Sequence, residues 1–144
     1  MVTPGSPLQW WDGYAVAFLL TCLVELPAYL LAFTTLGWCR LRPSPRRPLT
    51  VVSALGIGLA VNLITHPVLW AVARRLSGPA DLLVAELGVA VVEGLLIFAV
   101  VQTRRSEDES RSSCLRWSLL IAVGVNTLSL LVGLVVLPLL IEGA

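Results

Sequence analysis

The chain of 144 residues is too apolar to be a soluble protein. Hydrophobic residues make up 57% of it and charged residues 13%, and its mean hydropathy is +0.88. A soluble domain of this size needs helices or strands with polar faces, and the long apolar runs leave little polar surface. A net charge of +1 gives no reason to expect a nucleic acid partner. The main partner of this surface is therefore predicted to be the lipid bilayer.

Four apolar stretches are long enough to cross a membrane. A helix needs roughly 20 apolar residues to span the hydrocarbon core. The stretches cover residues 12–38, 49–73, 80–101 and 115–141. Lipid offers no hydrogen bonds to unpaired backbone groups, so each stretch is expected to be a helix. The sequence therefore predicts an all-α polytopic membrane protein, a four-transmembrane-helix bundle in which residues 1–144 form a single domain.

The arginines predict how the bundle is oriented. Eight of the ten lie in or beside the segments 39–48 and 102–114, and the other two are Arg74 and Arg75. Because cytoplasmic loops carry the excess of basic residues, both of these segments are expected in the cytoplasm and both termini outside. No positive segment precedes the first apolar run, so this run is expected to be a retained span, and the protein is expected in the plasma membrane.

Ionisable and amide side chains lie inside the predicted spans. A charged side chain at mid-bilayer costs roughly 2.5–3.5 kcal/mol on insertion scales, so such residues face a bundle interior or a water-filled cavity. The predicted polar site consists of Glu25, Asn62, Thr65, His66, Glu86, Glu93 and Asn126. At a rise of about 1.5 Å per residue, Glu25, Asn62 and Glu93 lie near the middle of the bilayer. His66 and Glu86 lie closer to the outer face.

Helical periodicity predicts one polar stripe on each helix, because residues three, four or seven apart share a face. The stripes are Thr21, Glu25 and Tyr29; Asn62, Thr65, His66 and Leu69; Glu86 and Glu93; and Asn126, Ser129 and Gly133. Turning all four stripes inward is the least costly arrangement in lipid. The sequence thus predicts a polar shaft inside the bundle that is wetter toward the outside.

Each span contains a pair of small residues four positions apart, for example Ala28/Ala32, Ala54/Gly58, Ala90/Gly94 and Ser129/Gly133. Such pairs allow the backbones of two membrane helices to approach closely. They are compatible with a compact bundle.

The polar site supports several functional hypotheses. The leading one is ion or proton-coupled transport or channel activity, because ionisable groups in a bundle interior mark such pathways. Four helices are few for a transporter, so this hypothesis predicts a homo-oligomer. One alternative is an intramembrane hydrolase with Glu25 or Glu93 as base and Asn62 stabilising an oxyanion. The others are an accessory subunit of a larger membrane complex and a polar cluster that only sets helix register.

A divalent metal ion is compatible with the transport and the hydrolase hypotheses. Imidazole and carboxylate ligands suit Zn²⁺, Mn²⁺ or Fe²⁺. The candidate ligands are His66, Glu86, Glu93 and Glu25. Their spacing matches no established metal-binding motif.

Two short elements carry a family resemblance. The second span contains Asn62, Thr65 and Pro67 in the pattern Asn-x-x-Thr-x-Pro, and the third contains Val-Val-Glu ending at Glu93. This combination resembles small uncharacterised bacterial four-helix membrane proteins. The resemblance implies a four-helix fold and no particular activity.

Overall fold

A computed structural model describes residues 7–38, 49–103 and 110–142 of the chain, with side chains described within 13–38, 49–78, 80–103 and 110–136. The described residues form four helices: α1 (Pro7–Thr35), α2 (Val51–Ala73), α3 (Pro79–Val101) and α4 (Arg111–Glu142). Each helix contains a stretch that is long and apolar enough to cross a membrane. The predicted all-α bundle of four membrane-spanning helices is therefore confirmed, and the protein is a multi-pass membrane protein.

The first helix ends earlier than the hydropathy predicts. α1 stops at Thr35, because the chain turns at Gly37 with φ +73°, in the left-handed region that favours glycine. Trp38 follows this turn, and its backbone carbonyl accepts a hydrogen bond from Leu49 N at 3.0 Å. Its ring is buried and lies 5.9 Å from the ring of Phe33. Trp38 therefore packs against Phe33 in the interior of the bundle.

The fourth helix begins earlier than predicted. α4 starts at Arg111, where the hydropathy places the beginning of the span at residue 115. Ser110 provides the reason, since its Oγ accepts a hydrogen bond from Ser113 N at 3.1 Å and so caps the first turn. The segments 39–48 and 104–109, which carry six of the arginines used to predict the orientation, lie outside the described residues.

The four helices form a closed ring. Each helix packs against the next one in the chain, and α4 packs against α1. In the described part of the chain, the diagonal pairs α1/α3 and α2/α4 have no Cα atoms within 8 Å of each other. The axis of the bundle is therefore a space that side chains from all four helices can fill.

Gly94 allows α3 and α4 to approach closely where it faces Ser118 and Leu119. A Cβ atom at Gly94 would lie 2.9 Å from the Cα of Leu119 and 3.2 Å from the carbonyl oxygen of Ser118. The predicted pair Ala90/Gly94 is buried, as is the pair Ala54/Gly58 on α2. Small residues thus provide the close backbone approach that replaces hydrophobic driving force in lipid.

The bundle has two unlike halves along its axis. The closed half consists of residues 26–38, 49–61, 94–103 and 110–125, and the open half of residues 13–25, 62–73, 80–93 and 126–136. In the described closed half, the buried side chains include Phe33, Trp38, Ile97 and Val101, and the only buried polar one is Ser118. In the described open half, Ala90 is the only buried apolar residue. The remaining buried side chains of the open half are Glu25, Asn62, Thr65, His66, Glu93 and Asn126.

Candidate functional site

Glu93 is the centre of a hydrogen-bond cluster that joins all four helices. Its carboxyl is 1% exposed and receives one side chain from each of the other helices. From α1, Tyr29 donates its hydroxyl to Oε2 at 2.7 Å. From α2, Thr65 Oγ1 lies 2.6 Å from Oε1, and from α4, Asn126 Nδ2 donates to Oε2 at 2.6 Å. The Tyr29–Glu93 bond crosses the diagonal of the ring, where the backbones do not meet.

The hydroxyl of Thr65 has two partners and a single proton. Its Oγ1 lies 2.6 Å from Glu93 Oε1 and 3.0 Å from the carbonyl oxygen of Val61. When Glu93 is ionised, Thr65 can donate to the carboxylate. When Glu93 carries a proton on Oε1, the carboxyl can donate to Thr65, which then turns its own proton to Val61. The cluster therefore has a satisfied hydrogen-bond arrangement for both charge states of Glu93.

Glu25 is buried without being fully satisfied. Its side chain is 2% exposed, and its Oε2 has no hydrogen-bond partner among the described residues. Asn62 and Ser129 lie beside its carboxyl, one from α2 and one from α4. An unpaired acceptor at this depth is costly in a low-dielectric interior. Glu25 and Glu93 thus differ, because both oxygens of Glu93 lie at hydrogen-bond distance from donors, whereas Oε2 of Glu25 has no partner among the described residues.

His66 lies above the two glutamates, toward the N-terminal end of α1. It is 8% exposed, and neither ring nitrogen makes a hydrogen bond of good geometry in the described part of the chain, although Ala17 of α1 is close. The rings of Tyr14 and Phe18 pack against it at centroid distances of 5.7 and 5.3 Å. Tyr14 also packs edge-on against Trp70 at 5.6 Å. These aromatic contacts hold the imidazole in place without occupying its nitrogens.

A cavity of about 320 Å³ occupies the open half. Its lining includes all seven residues of the predicted polar site, namely Glu25, Asn62, Thr65, His66, Glu86, Glu93 and Asn126, together with Thr21, Leu69, Ser129 and Gly133 from the same stripes. One part of the lining is apolar and is called the leucine wall below; it includes Leu82, Val89, Leu130 and Leu134. The described lining residues include no arginine, so three carboxyl groups face the same space with His66 as the only basic side chain.

Two residues of the site were not among the predicted ones. Tyr29 and Ser129 were placed on the polar stripes by their spacing, yet only the structure shows that Tyr29 binds Glu93 and that Ser129 lies beside Glu25. The signal that could have found Tyr29 is its position one turn after Glu25 on the same face. Glu86, by contrast, is half-buried and lines the cavity without joining the Glu93 cluster.

The hypothesis of a metal site receives no geometric support. Among the described residues, no three His, Cys, Asp or Glu side chains come close enough together to hold a metal ion. Glu93 has three donors around its oxygens, and His66 is surrounded by the rings of Tyr14 and Phe18. The four predicted metal ligands line one cavity but do not form a metal-binding cluster; they are His66, Glu86, Glu93 and Glu25.

The fold and the site together define a multi-pass membrane protein with a buried polar cluster centred on Glu93. Comparisons with protein-family models, with curated proteins and with solved structures found no match. The resemblance to small bacterial four-helix proteins therefore stays a prediction, and the function has to be argued from the chemistry of the cavity.

Proposed function

We propose that the protein is a proton-coupled cation transport protein of the bacterial plasma membrane that acts as a homo-oligomer. The observation that supports this most is the cavity of about 320 Å³, whose lining includes three carboxyl groups, those of Glu25, Glu86 and Glu93. Ionisable residues inside a membrane bundle mark ion and proton pathways. A cavity with three carboxyl groups and no lining arginine favours protons and cations over anions.

The Thr65 hydroxyl supports the coupling to protons. A transported proton has to be taken up and released without dismantling the helices around it, since packed bundles change shape in discrete steps. Because Thr65 can donate either to Glu93 or to Val61, the cluster accommodates both charge states. Tyr29 and Asn126 keep donating to Oε2 in both states, so the bundle stays joined while the proton comes and goes.

The closed half supports a gated transporter over an open pore. Below Glu93 the axis is filled by buried side chains such as Phe33, Ile97 and Val101. A continuous water pathway through one protomer would have to displace this packing. In the proposed mechanism, cation binding in the open half precedes a rearrangement of the closed half, with a second copy of the chain bracing the helices that move.

Proton flux in liposomes tests this proposal. The purified protein is reconstituted with a pH-sensitive dye inside, and flux is driven by a potassium diffusion potential with and without external Na⁺. We expect flux above that of empty liposomes, and we expect Glu93→Gln and Glu25→Gln to abolish it. Asp81→Asn is the matched control, because Asp81 is an exposed carboxylate in the first turn of α3 that accepts a hydrogen bond from Ser77 N and does not line the cavity.

A matched pair at position 65 separates a proton pathway from a structural role. Thr65→Ser retains the hydroxyl and should retain flux, whereas Thr65→Val has nearly the same shape and should lose most of it. Equal flux in the two variants would contradict the part assigned to this hydroxyl. Absence of flux from the wild-type protein under every gradient would contradict transport, and a strictly monomeric mass in detergent and lipid would contradict the oligomer.

A further inference from the structure

The open half contains two buried hydrogen-bond acceptors that no described side chain or backbone group satisfies well. One is Oε2 of Glu25 and the other is the unprotonated nitrogen of a neutral His66. Both residues line the same cavity, and both are more than nine-tenths buried. Buried polar atoms normally have hydrogen-bond partners. Two acceptors without a donor in one cavity therefore indicate a ligand that donates hydrogen bonds.

The charge of the cavity restricts that ligand further. Glu25, Glu86 and Glu93 are close enough to interact electrostatically, and no arginine lies among the described lining residues. Glu93 already receives side chains from three helices, which leaves Glu25 as the carboxyl best able to pair with an incoming charge. A cationic donor of hydrogen bonds next to Glu25 would offset the repulsion within the site.

The walls of the cavity indicate that the ligand also has an apolar part. Its apolar lining residues include Trp70, Leu82, Val89, Leu130 and Leu134. A bare or hydrated metal ion would leave this surface unused, and the described residues form no cluster of three metal-ligating side chains. An apolar cavity of 150 Å³ holds one benzene molecule, so a cavity of about 320 Å³ has room for roughly twelve non-hydrogen atoms.

We propose that the cavity binds a small organic ammonium ion with an apolar body, whose N–H groups donate to Glu25 and His66. The apolar body lies against the leucine wall and Trp70, as in other small-molecule sites that combine apolar walls with a few placed polar groups. This proposal rests on the transport function as far as the ligand is a substrate, and binding can be measured separately from flux.

Binding of 3-phenylpropylamine, which has ten non-hydrogen atoms, tests the proposal. The full-length protein in lipid nanodiscs is titrated with the amine, with its neutral analogue 3-phenylpropanol, and with Na⁺ and Mn²⁺, and empty nanodiscs correct for partitioning. We expect saturable binding of the amine at least tenfold tighter than that of the alcohol. We expect Glu25→Gln to weaken it at least tenfold and His66→Ala severalfold, while Asp81→Asn leaves it unchanged.

Three results would overturn the proposal. They are equal affinity for the alcohol and the amine, saturable binding of the inorganic cations alone, and full amine affinity in a folded Glu25→Gln variant. If Glu25→Gln does not fold by circular dichroism, the comparison of amine and alcohol on the wild-type protein still decides. Amine binding without any flux would contradict transport and support the ligand. Flux with inorganic cations and no amine binding would support transport and contradict the ammonium ligand.

Discussion

The two halves of the bundle bury opposite kinds of side chain. In the described closed half, the buried residues are apolar apart from Ser118, whereas the described open half buries Glu25, Glu93 and other polar groups around a cavity. Both halves come from the same four helices, and both present apolar side chains to the lipid. The difference therefore lies in the bundle interior and cannot be seen in the hydropathy of any single helix.

This contrast shows how a small membrane bundle can combine a rigid part with a functional cavity. Apolar burial between membrane helices gains little, because lipid tails are as apolar as leucine side chains. The closed half is held by close packing, for example where Gly94 lies against Leu119. The open half is held at its base by the bonds to Glu93. The cavity can therefore exist above Glu93 while the packing below it keeps the helices together.

The largest expected contrast is at two serines of α4. Ser129 lines the cavity, and Ser118 is fully buried in the closed half. With Cys22, Cys39 and Cys114 replaced by alanine, Ser129→Cys should react with a small cationic methanethiosulfonate reagent and Ser118→Cys should not. Labelling is measured by mass spectrometry after adding the reagent to intact spheroplasts. Because the cavity lies toward the end of the bundle where α1 begins and α4 ends, and this end is predicted to face outward, labelling is expected from outside.

Three outcomes of the labelling experiment decide different points. Equal reactivity of the two cysteines would contradict the division into a closed and an open half. Labelling of Ser129→Cys only from the cytoplasmic side would reverse the orientation predicted from the arginines. An anionic reagent of similar size should react more slowly than the cationic one, because the cavity contains three carboxyl groups.

The next largest effect is expected for Glu93. Glu93→Ala removes the only acceptor that the described part of the chain offers to the Tyr29 hydroxyl, while Thr65 and Asn126 keep their bonds to backbone carbonyls. A buried polar group left unsatisfied costs about 1–3 kcal/mol, so we expect a loss of about 2–3 kcal/mol in the free energy of unfolding. Reversible unfolding in mixed micelles, followed by circular dichroism, measures it.

Glu25→Ala is the matched control for Glu93→Ala. It removes a buried carboxyl that has an unpaired oxygen, so the unfolding free energy should change by less than about 1 kcal/mol or should rise. If Glu25→Ala destabilised the protein as much as Glu93→Ala, the assignment of Glu93 as the structural centre would be wrong.

The smallest effect is expected from the packing of the closed half at Gly94. In Gly94→Ala the new methyl group would meet the backbone of Leu119 at 2.9 Å, and overpacking of this kind costs about 1–3 kcal/mol. Gly88→Ala on the same helix has nothing within 4 Å and should be neutral or slightly stabilising. The same unfolding measurement compares the two variants, and a stable Gly94→Ala would show that α3 and α4 are not held at this distance.

The sequence was informative about the polar stripes because helical spacing is a local property. Asn62, Thr65 and His66 share one face of α2 through the fixed rotation per residue, and all three line the cavity. The helix ends were less predictable from hydropathy. The turn at Gly37 and the cap at Ser110 are made by single residues that an average over a whole span does not resolve.

The different roles of the glutamates could not be predicted from the sequence. Glu25 and Glu93 have the same chemistry and similar depth, yet only Glu93 meets donors from three other helices. That outcome depends on the order of the helices in the ring and on the rotation of each about its axis. Both are set by contacts between residues far apart in the chain, such as Tyr29 and Glu93.

By itself, the sequence determined that the chain has four membrane-spanning helices and that each has one polar face, since hydropathy and helical periodicity act within a single segment. Only the tertiary structure decided that these faces enclose a cavity in one half of the bundle. It also decided that both oxygens of Glu93 meet hydrogen-bond donors, whereas Oε2 of Glu25 meets none among the described residues. The physical reason is that hydrogen bonds between helices depend on positions accurate to fractions of an ångström, which the packing of all four helices sets together.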